Sequence, residues 1–254
     1  MTPPRPTTAI ILAAGVGRRL GDFHDAPKVL LPFDGRTLLA RHLDALTKHG
    51  ILRVLITVGY KRDAIIAEVA RLGVSDRVSF VTNERFREGS LVSLHAQSVA
   101  LRGGEPILLM DGDVLYDPRM IATLVEEPGE NILLLDRDIE PGEEPVKICL
   151  RGDRIVDFRK KPDDAGDRHG ESVGFFRFSA ATAAALADRC ATYVAAGNTT
   201  VEYEEAIRDL ILAEPHRFRA VDVTHLPWVE IDFEPDVLRA LDEVLPLIDR
   251  RRAA

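Results

Sequence analysis

Three observations on the 254-residue sequence predict an α/β fold with a mostly parallel central sheet covered by helices on both faces. In the first half, short runs rich in Val, Ile and Leu alternate with segments of helical spacing. The runs are apolar throughout rather than at every second residue. Only in the second half do short β-type segments follow one another without a helix between them. A strand buried on both faces reads as a continuous apolar run, and strand–helix–strand order favours parallel pairing.

The first strand is expected over Thr8–Leu12, and Leu52–Val58, Arg77–Val81, Pro106–Met110 and Asn131–Leu135 repeat its pattern. Between them lie predicted helices over Thr37–Lys48, Arg62–Leu72, Leu91–Leu101 and Pro118–Glu126; in the first of these Leu38, Leu39, Leu43 and Leu46 make one apolar stripe. Val146–Leu150, Arg154–Phe158 and Val173–Phe178 are separated by Arg151-Gly152-Asp153 and by the polar stretch Pro162–Gly170, which predicts a small antiparallel β excursion. Helices over Ala180–Ala195 and Tyr203–Leu212, a strand over Phe218–Val223, an extended segment Trp228–Phe233 and a helix from Pro235 to about Arg250 complete the order. No internal repeat is visible, and Pro162–Gly170 is too short to separate domains. One domain is therefore expected, with a glycine-loop half over about 7–135 and a second half over about 136–254.

Composition narrows the function. Hydrophobic residues at 46% and charged residues at 29% describe an ordinary globular chain. No apolar run approaches the roughly 20 residues of a membrane span, and the first residues lack a signal-peptide core, so a cytoplasmic location is expected. Cys149 and Cys190 stand far apart without metal-site spacing and read as buried small hydrophobes. A net charge of −8 and a pI near 5.4 argue against a broad nucleic-acid surface, so any phosphate must be met by a few placed cations.

In open α/β sheets ligands bind beyond the carboxyl ends of the strands. The first strand ends in Leu12-Ala13-Ala14-Gly15-Val16-Gly17-Arg18-Arg19-Leu20. Gly15 and Gly17 allow backbone N–H groups to face an anion, with Arg18 and Arg19 beside them. A dinucleotide site wants an acidic residue ending the second strand, but Val54–Val58 runs into Gly59-Tyr60-Lys61; a P-loop wants GxxxxGK[ST], which is absent. At Leu109-Met110-Asp111-Gly112-Asp113-Val114-Leu115, carboxylates close a buried strand, and magnesium is the natural cation for them. In Trp228-Val229-Glu230-Ile231-Asp232-Phe233-Glu234-Pro235-Asp236, extended backbone would put Glu230 and Asp232 on one face. Asn83 follows the third strand, with Gly89, Ser90 and Ser93 opening a helix; a helix N-cap explains the serines as well as a base contact does. Ile155–Pro162 ends in Lys160-Lys161, and Gly170-Glu171-Ser172-Val173-Gly174 returns from it.

The pattern LAAGxGxRL followed by Pro27-Lys28 resembles the nucleotidyltransferases of the sugar-nucleotide pyrophosphorylase superfamily, with their Rossmann-like, GT-A-like fold. The W-x-E-I-D-x-x-x-D segment resembles its cytidylyltransferase branch, typified by bacterial phosphocholine cytidylyltransferases. The resemblance implies that Leu12, Ala13, Ala14, Gly15 and Gly17 wrap a nucleoside triphosphate, that Arg19 and Lys28 hold its phosphates, and that Asp113 and Asp232 bind Mg2+. It implies Asn83, Gly89, Ser90, Ser93 and Asp111 on the nucleotide side, although Gly-Ser-Leu-Val-Ser-Leu departs from the branch's N-x-x-S-L. Lys160 would meet the acceptor phosphate, and Tyr116, Glu171, Tyr203, Trp228 and Glu230 are candidate acceptor contacts. An ammonium group would suit aromatics or the acidic residues Asp136–Glu144, Glu202, Glu204 and Glu205. The expected reaction is Mg2+-dependent transfer from CTP to a phosphoalcohol or phosphonate such as phosphocholine, phosphoethanolamine, 2-aminoethylphosphonate or inositol 1-phosphate, by a protein that is expected to form a homodimer. A sugar-1-phosphate nucleotidyltransferase using UTP or GTP and a non-catalytic nucleotide-binding subunit are the alternatives.

Overall fold

The computed structural model describes residues 5–17, 19–20, 25–139 and 145–252. Strand β1 (Thr8–Ala13) is followed by a 3-10 turn at Lys28–Leu30 and a hairpin of β2 (Pro32–Phe33) and β3 (Arg36–Thr37). The hairpin turns at Asp34 and Gly35, both left-handed with φ of 49° and 68°, as a two-residue turn of this kind requires. Helix α1 (Leu38–Lys48) begins where the Thr37 hydroxyl accepts a hydrogen bond from the Ala40 N–H, and the predicted leucine stripe is its buried face. Then come β4 (Arg53–Val58), α2 (Arg62–Arg71), β5 (Val78–Thr82), α3 (Ser90–His95), α4 (Ser98–Leu101), β6 (Ile107–Asp111), β7 (Val114–Tyr116), α5 (Arg119–Glu126) and β8 (Asn131–Asp136). The second half adds β9 (Lys147–Arg151), β10 (Arg154–Arg159), β11 (Arg168–Phe178), α6 (Ala180–Ala195), α7 (Tyr203–Ala213), β12 (Phe218–Asp222), β13 (Trp228–Glu230), α8 (Glu234–Arg239) and α9 (Leu245–Arg252), the last two joined by a π-helical turn at Ala240–Val244.

The main sheet has nine strands in the order β10-β9-β11-β6-β1-β4-β5, with β8 beside β11 and β12 beside β8. β6, β1, β4 and β5 run parallel, and β11 is antiparallel to β6, β8 and β9. Along β1 the side chains alternate: Ala9 and Ile11 join the core under α1, α2 and α5, while Ile10 joins the core under α3, α4, α6 and α7. Both faces are thus covered, which is why the strands read as unbroken apolar runs. Each fully buried Ile or Leu here contributes roughly 2 kcal/mol. A third cluster packs α8 and α9 against Phe33, Leu38 and Leu115. Both cysteines are buried, and no described helix is long and apolar enough to cross a membrane.

The structure departs from the sequence reading at several points. The helix expected over Leu91–Leu101 breaks at Ala96-Gln97, where the buried Gln97 amide donates to the Thr57 hydroxyl and the Ser98 hydroxyl donates to the His95 carbonyl. Strand β11 starts at Arg168, inside the stretch expected to be a polar connection, because Arg168–Glu171 pairs with β9. Of the extended segment Trp228–Phe233 only Trp228–Glu230 pairs as a strand, against β7. The two-residue strands β2 and β3, and β7, are too short to leave a periodic signal.

Candidate functional site

From β1 the chain crosses to β4 and β5 on one side, then returns to place β6 on the other. The carboxyl ends of β1 and β6 are therefore the switch point at which such a sheet opens a crevice. A cleft of about 660 Å³ lies there, with Leu12, Ala14, Gly15 and Gly17 after β1, and Asp111 and Asp113 at the end of β6.

The glycine loop is fixed at both ends by backbone hydrogen bonds: the Leu12 carbonyl accepts from Gly112 N, and the Ala14 carbonyl accepts from Tyr60 N. Gly17 has a φ of 66°, and a Cβ there would lie 3.1 Å from Lys28 Cγ, so the glycine lets the Lys28 stem pass close by. Lys28 starts the 3-10 turn set by Pro27, which carries Val29 into the core. Its ammonium donates to Asp113 Oδ2 at 3.0 Å and to Asp232 Oδ1 at 2.5 Å. Burial opposes the charge on Lys28, but the two carboxylates outweigh it and raise its pKa. Burial likewise opposes ionisation of Asp232, yet Lys28 and Arg19, whose Nη1 lies 2.7 Å from Asp232 Oδ2, hold it below the usual range.

Strand pairing brings these distant residues together. β7 leaves the end of β6 directly and pairs antiparallel with β13, placing Glu230 opposite Val114, and Ile231 N donates to the Asp113 carbonyl. Oxygens of Asp113, Glu230 and Asp232 consequently lie within 4.8 Å of one another. The Asp236 carboxylate accepts from Asp232 N at 2.8 Å and Phe233 N at 2.6 Å and so pins the backbone that presents Asp232. Three carboxylates, two of them on one ammonium, form a hard oxygen donor set, which fits a divalent cation.

The opposite wall comes from β11, the Lys160 turn and the start of α7: Lys160, Glu171, Gly174, Glu202, Tyr203 and Glu204. Gly174 has a φ of 75°, and a Cβ there would fall 2.2 Å from Asp111 Oδ2, so only glycine leaves room for that carboxyl. The Tyr203 hydroxyl donates to Asp111 Oδ2 at 2.7 Å; burial, with Glu204 and Asp113 nearby, pushes the Asp111 carboxyl well above its usual range. Burial also pushes Glu171 up to about 7, with Asp136 adding to it. Lys160 Nζ donates to Glu202 at 2.9 Å. Gly89, Ser90, Ser93, Trp228 and Glu230 also line the cleft. The Ser90 hydroxyl accepts from Tyr203 N, and a Cβ at Gly89 would sit 2.1 Å from the Val201 carbonyl, so α3 and the approach to α7 are locked together.

Four candidates are not among the residues that line the cleft: Lys28 meets it through Asp113 and Asp232, and the other three turn elsewhere. The Ala13 side chain packs against the core. The Asn83 side chain donates to the Ser93 hydroxyl and accepts from Arg85 N, behind the wall it was expected to line. Tyr116 is buried, its ring stacked on His42 at 5.3 Å and edge-on to Phe175 at 4.7 Å. Arg18 and residues 140–144 of the acidic run lie outside the described residues.

Sequence reasoning missed His42, a lone histidine in an apolar helix face. Its Nε2 lies 3.1 Å from the Gly112 carbonyl and its Nδ1 3.4 Å from the Tyr116 hydroxyl. Burial lowers its pKa to about 4, so it is neutral and holds the peptide between Asp111 and Asp113. Asp236 was visible in the motif but had no role; only its two backbone contacts supply one.

Comparison with known proteins places these features in a lineage. The family model for the MobA-like NTP transferase domain matches residues 9–173, a span that contains the glycine loop, Lys28 and the Asp111–Asp113 strand end. CMP-5'-(3-aminopropyl)phosphonate synthase of Streptomyces rubellomurinus is 25% identical over 242 residues, covering 92% of this chain; the chain spans only 38% of that relative's length. CTP:phosphoglutamine cytidylyltransferase of Campylobacter jejuni is 21% identical over 249 residues, covering 90% of this chain and 97% of its own. The solved structure of the inositol-1-phosphate CTP transferase from T. maritima superimposes with a TM-score of 0.77 at 22% identity, covering 98% of this chain and 97% of that one, so the two share a fold. On the strength of the matched span, the chain belongs to the MobA-like NTP transferase family.

Proposed function

We propose that the protein is a Mg2+-dependent cytidylyltransferase that transfers the CMP unit of CTP to a phosphate or phosphonate oxygen of a small acceptor and releases pyrophosphate. The observation that carries this is the convergence of Asp113, Glu230 and Asp232 within 4.8 Å of one another, two of them on the Lys28 ammonium, at the cleft that the glycine loop also lines. The cytosine assignment draws on the CMP- and CTP-linked names of the Streptomyces and Campylobacter relatives, which match over nine-tenths of the chain.

An acceptor phosphate or phosphonate is already ionised at neutral pH, so the chain has no proton to remove and its task is alignment and charge neutralisation. Backbone N–H groups of the Gly15–Gly17 turn and the Arg19 guanidinium receive the triphosphate. Asp113 and Asp232 would hold Mg2+, which would supply charge neutralisation at the α-phosphate. Lys28, joined to the same carboxylates, is the side-chain cation placed to meet phosphate oxygens there. Asp236 keeps Asp232 aimed, His42 holds the Gly112 peptide, and Lys160 draws in the acceptor's anionic end.

The test is pyrophosphate release from each of four nucleoside triphosphates against phosphoalcohols, phosphonates and sugar phosphates. CTP should be the productive donor. Turnover of a sugar 1-phosphate with UTP or GTP, with CTP inert on every acceptor, replaces this reading with a sugar-phosphate nucleotidyltransferase. Nucleotide binding without pyrophosphate from any pair makes the chain a binding subunit.

A further inference from the structure

Once the metal-fitting carboxylates and the Lys160–Glu202 pair are set aside, the cleft retains acidic groups that the transfer itself does not use. Glu204, in the first turn of α7, lines the cleft, and its Oε2 is shut off from solvent with no hydrogen-bond donor among the described residues. Its charged neighbours are Glu202, Glu230 and Lys160, and the Lys160 ammonium donates to Glu202 instead. Tyr203 beside it is fastened through its N–H to Ser90 and through its hydroxyl to Asp111, so the backbone that carries Glu204 is fixed. A buried acceptor left without a donor costs about 1–3 kcal/mol, and a rotation of the half-buried Glu204 side chain toward the cleft lets an arriving donor remove that cost. On β11, Glu171 adds a second, nearly buried carboxyl to the same wall.

The donor has a definable chemistry. A carboxylate beside other carboxylates calls for a cation, and an orphaned oxygen calls for an N–H. A trimethylammonium has no N–H and is held instead by open aromatic faces. The cleft's aromatics are already engaged: Trp228 is 7% exposed with its Nε1 donating to Asp136, Tyr203 is 2% exposed with its ring edge-on to Phe176, and the rings of Phe233 and Phe86 carry the Arg19 and Arg87 guanidinium groups at 5.6 and 5.3 Å. We infer that Glu204, with Glu171, forms the subsite for a primary ammonium group on the acceptor, which makes the substrate class an aminoalkyl phosphate or aminoalkyl phosphonate. This inference rests on the nucleotidyl transfer proposed above. It adds a specificity-determining pair to that transfer: Lys160 and the metal-fitting carboxylates address the anionic end of the acceptor, and Glu204 its far end.

The experiment compares kcat/KM with CTP for phosphoethanolamine, phosphocholine and propyl phosphate, which share a phosphate ester and differ in the tail, and for 2-aminoethylphosphonate against propylphosphonate. The primary amine should exceed its neutral isostere by at least about tenfold, the scale of one charge-assisted hydrogen bond. Glu204→Gln should shrink that ratio through the KM of the amine, with the KM of CTP unchanged, and Glu171→Gln gives the same reading if the first variant does not fold. Equal use of amine and propyl acceptors, a preference for phosphocholine, or a preference for an uncharged polyol phosphate overturns the ammonium subsite while leaving the cytidylyltransferase reading intact. Absence of pyrophosphate from every nucleotide and acceptor removes both.

Discussion

On the β1 side the cleft is lined by one short stretch, Leu12 and Ala14 to Gly17, offering mainly backbone. On the other side it is lined by side chains drawn from β6, β11, α7 and the segment after β13, residues as far apart as Asp111 and Asp232. The first wall presents backbone and needs little precise side-chain chemistry. The second needs particular carboxyls at particular distances, and it obtains them through strand pairing and buried tyrosine and histidine supports. A wall of backbone can be written in one short motif; a wall of convergent carboxylates is written only in the fold.

The sharpest test of the convergent wall is Asp232→Asn or Asp113→Asn. Each should lower pyrophosphate release by roughly a thousandfold or more, the scale of losing a group that stabilises charge in the transition state, while the thermal transition stays within a few degrees of wild type. An Asp232→Ala protein with near wild-type turnover would remove that residue from the machinery.

This contrast also explains how much the sequence disclosed. The alternation of apolar runs and helical stripes was sufficient for β1, β4, β5, β6 and the helices that cover them, because burial on both faces imposes composition directly. The glycine loop, Lys28, Asp113 and the Glu230/Asp232 pair were legible as motifs. Their meeting was implied by the family resemblance alone and not by periodicity, because it depends on β7, a three-residue strand with no periodic signal, pairing with β13. Tyr116 shows the converse: an aromatic in a suggestive place turns inward because His42 and Phe175 form a slot for its ring. Asn83 is likewise spent on the Ser93 hydroxyl and the Arg85 N–H.

Two glycines test the two walls side by side. Gly15 has open space where a Cβ would stand, whereas Gly174 combines a φ of 75° with a Cβ position 2.2 Å from Asp111 Oδ2. Gly174→Ala should therefore destabilise the fold by about 2 kcal/mol or more in urea unfolding. Gly15→Ala should leave stability within about 1 kcal/mol and act instead on the KM for the nucleotide. Equal loss of stability in both variants would erase the distinction between a wall kept clear for ligand and one kept clear for a neighbouring side chain.

Lys28 belongs to both walls, since its stem passes Gly17 and its ammonium holds Asp113 and Asp232. Lys28→Met removes that ammonium and leaves, among the described residues, Arg19 paired with Asp232. The variant should melt several degrees lower than wild type in EDTA and gain more than wild type when Mg2+ is added, because binding to the folded state alone raises stability by mass action. An identical Mg2+ response in both proteins would show that the ammonium and the metal do not address the same oxygens.

The smallest expected effect separates a carboxyl kept for the cleft from one kept for the fold. Asp157 of β10 and Glu171 of β11 are both buried, and burial alone raises the pKa of each. Asp157 is brought below its usual value because Arg208 and the N–H groups of Phe158, Asp163 and Asp164 donate to it. Glu171 stays raised, at about 7 against an ordinary 4.5. Between those two pH values the folded state binds more protons than the unfolded chain at this site. The stability that Glu171 contributes is therefore complete below pH 4.5 and is lost as pH rises through 7. Urea unfolding of wild type and Glu171→Gln at pH 5 and pH 8 isolates this group, since other titrations cancel between the two proteins. The variant should gain on wild type by about 2 kcal/mol from pH 5 to pH 8. The same difference at both pH values would mean that the fold holds Glu171 ionised, as it does Asp157, and would leave the ammonium subsite resting on Glu204.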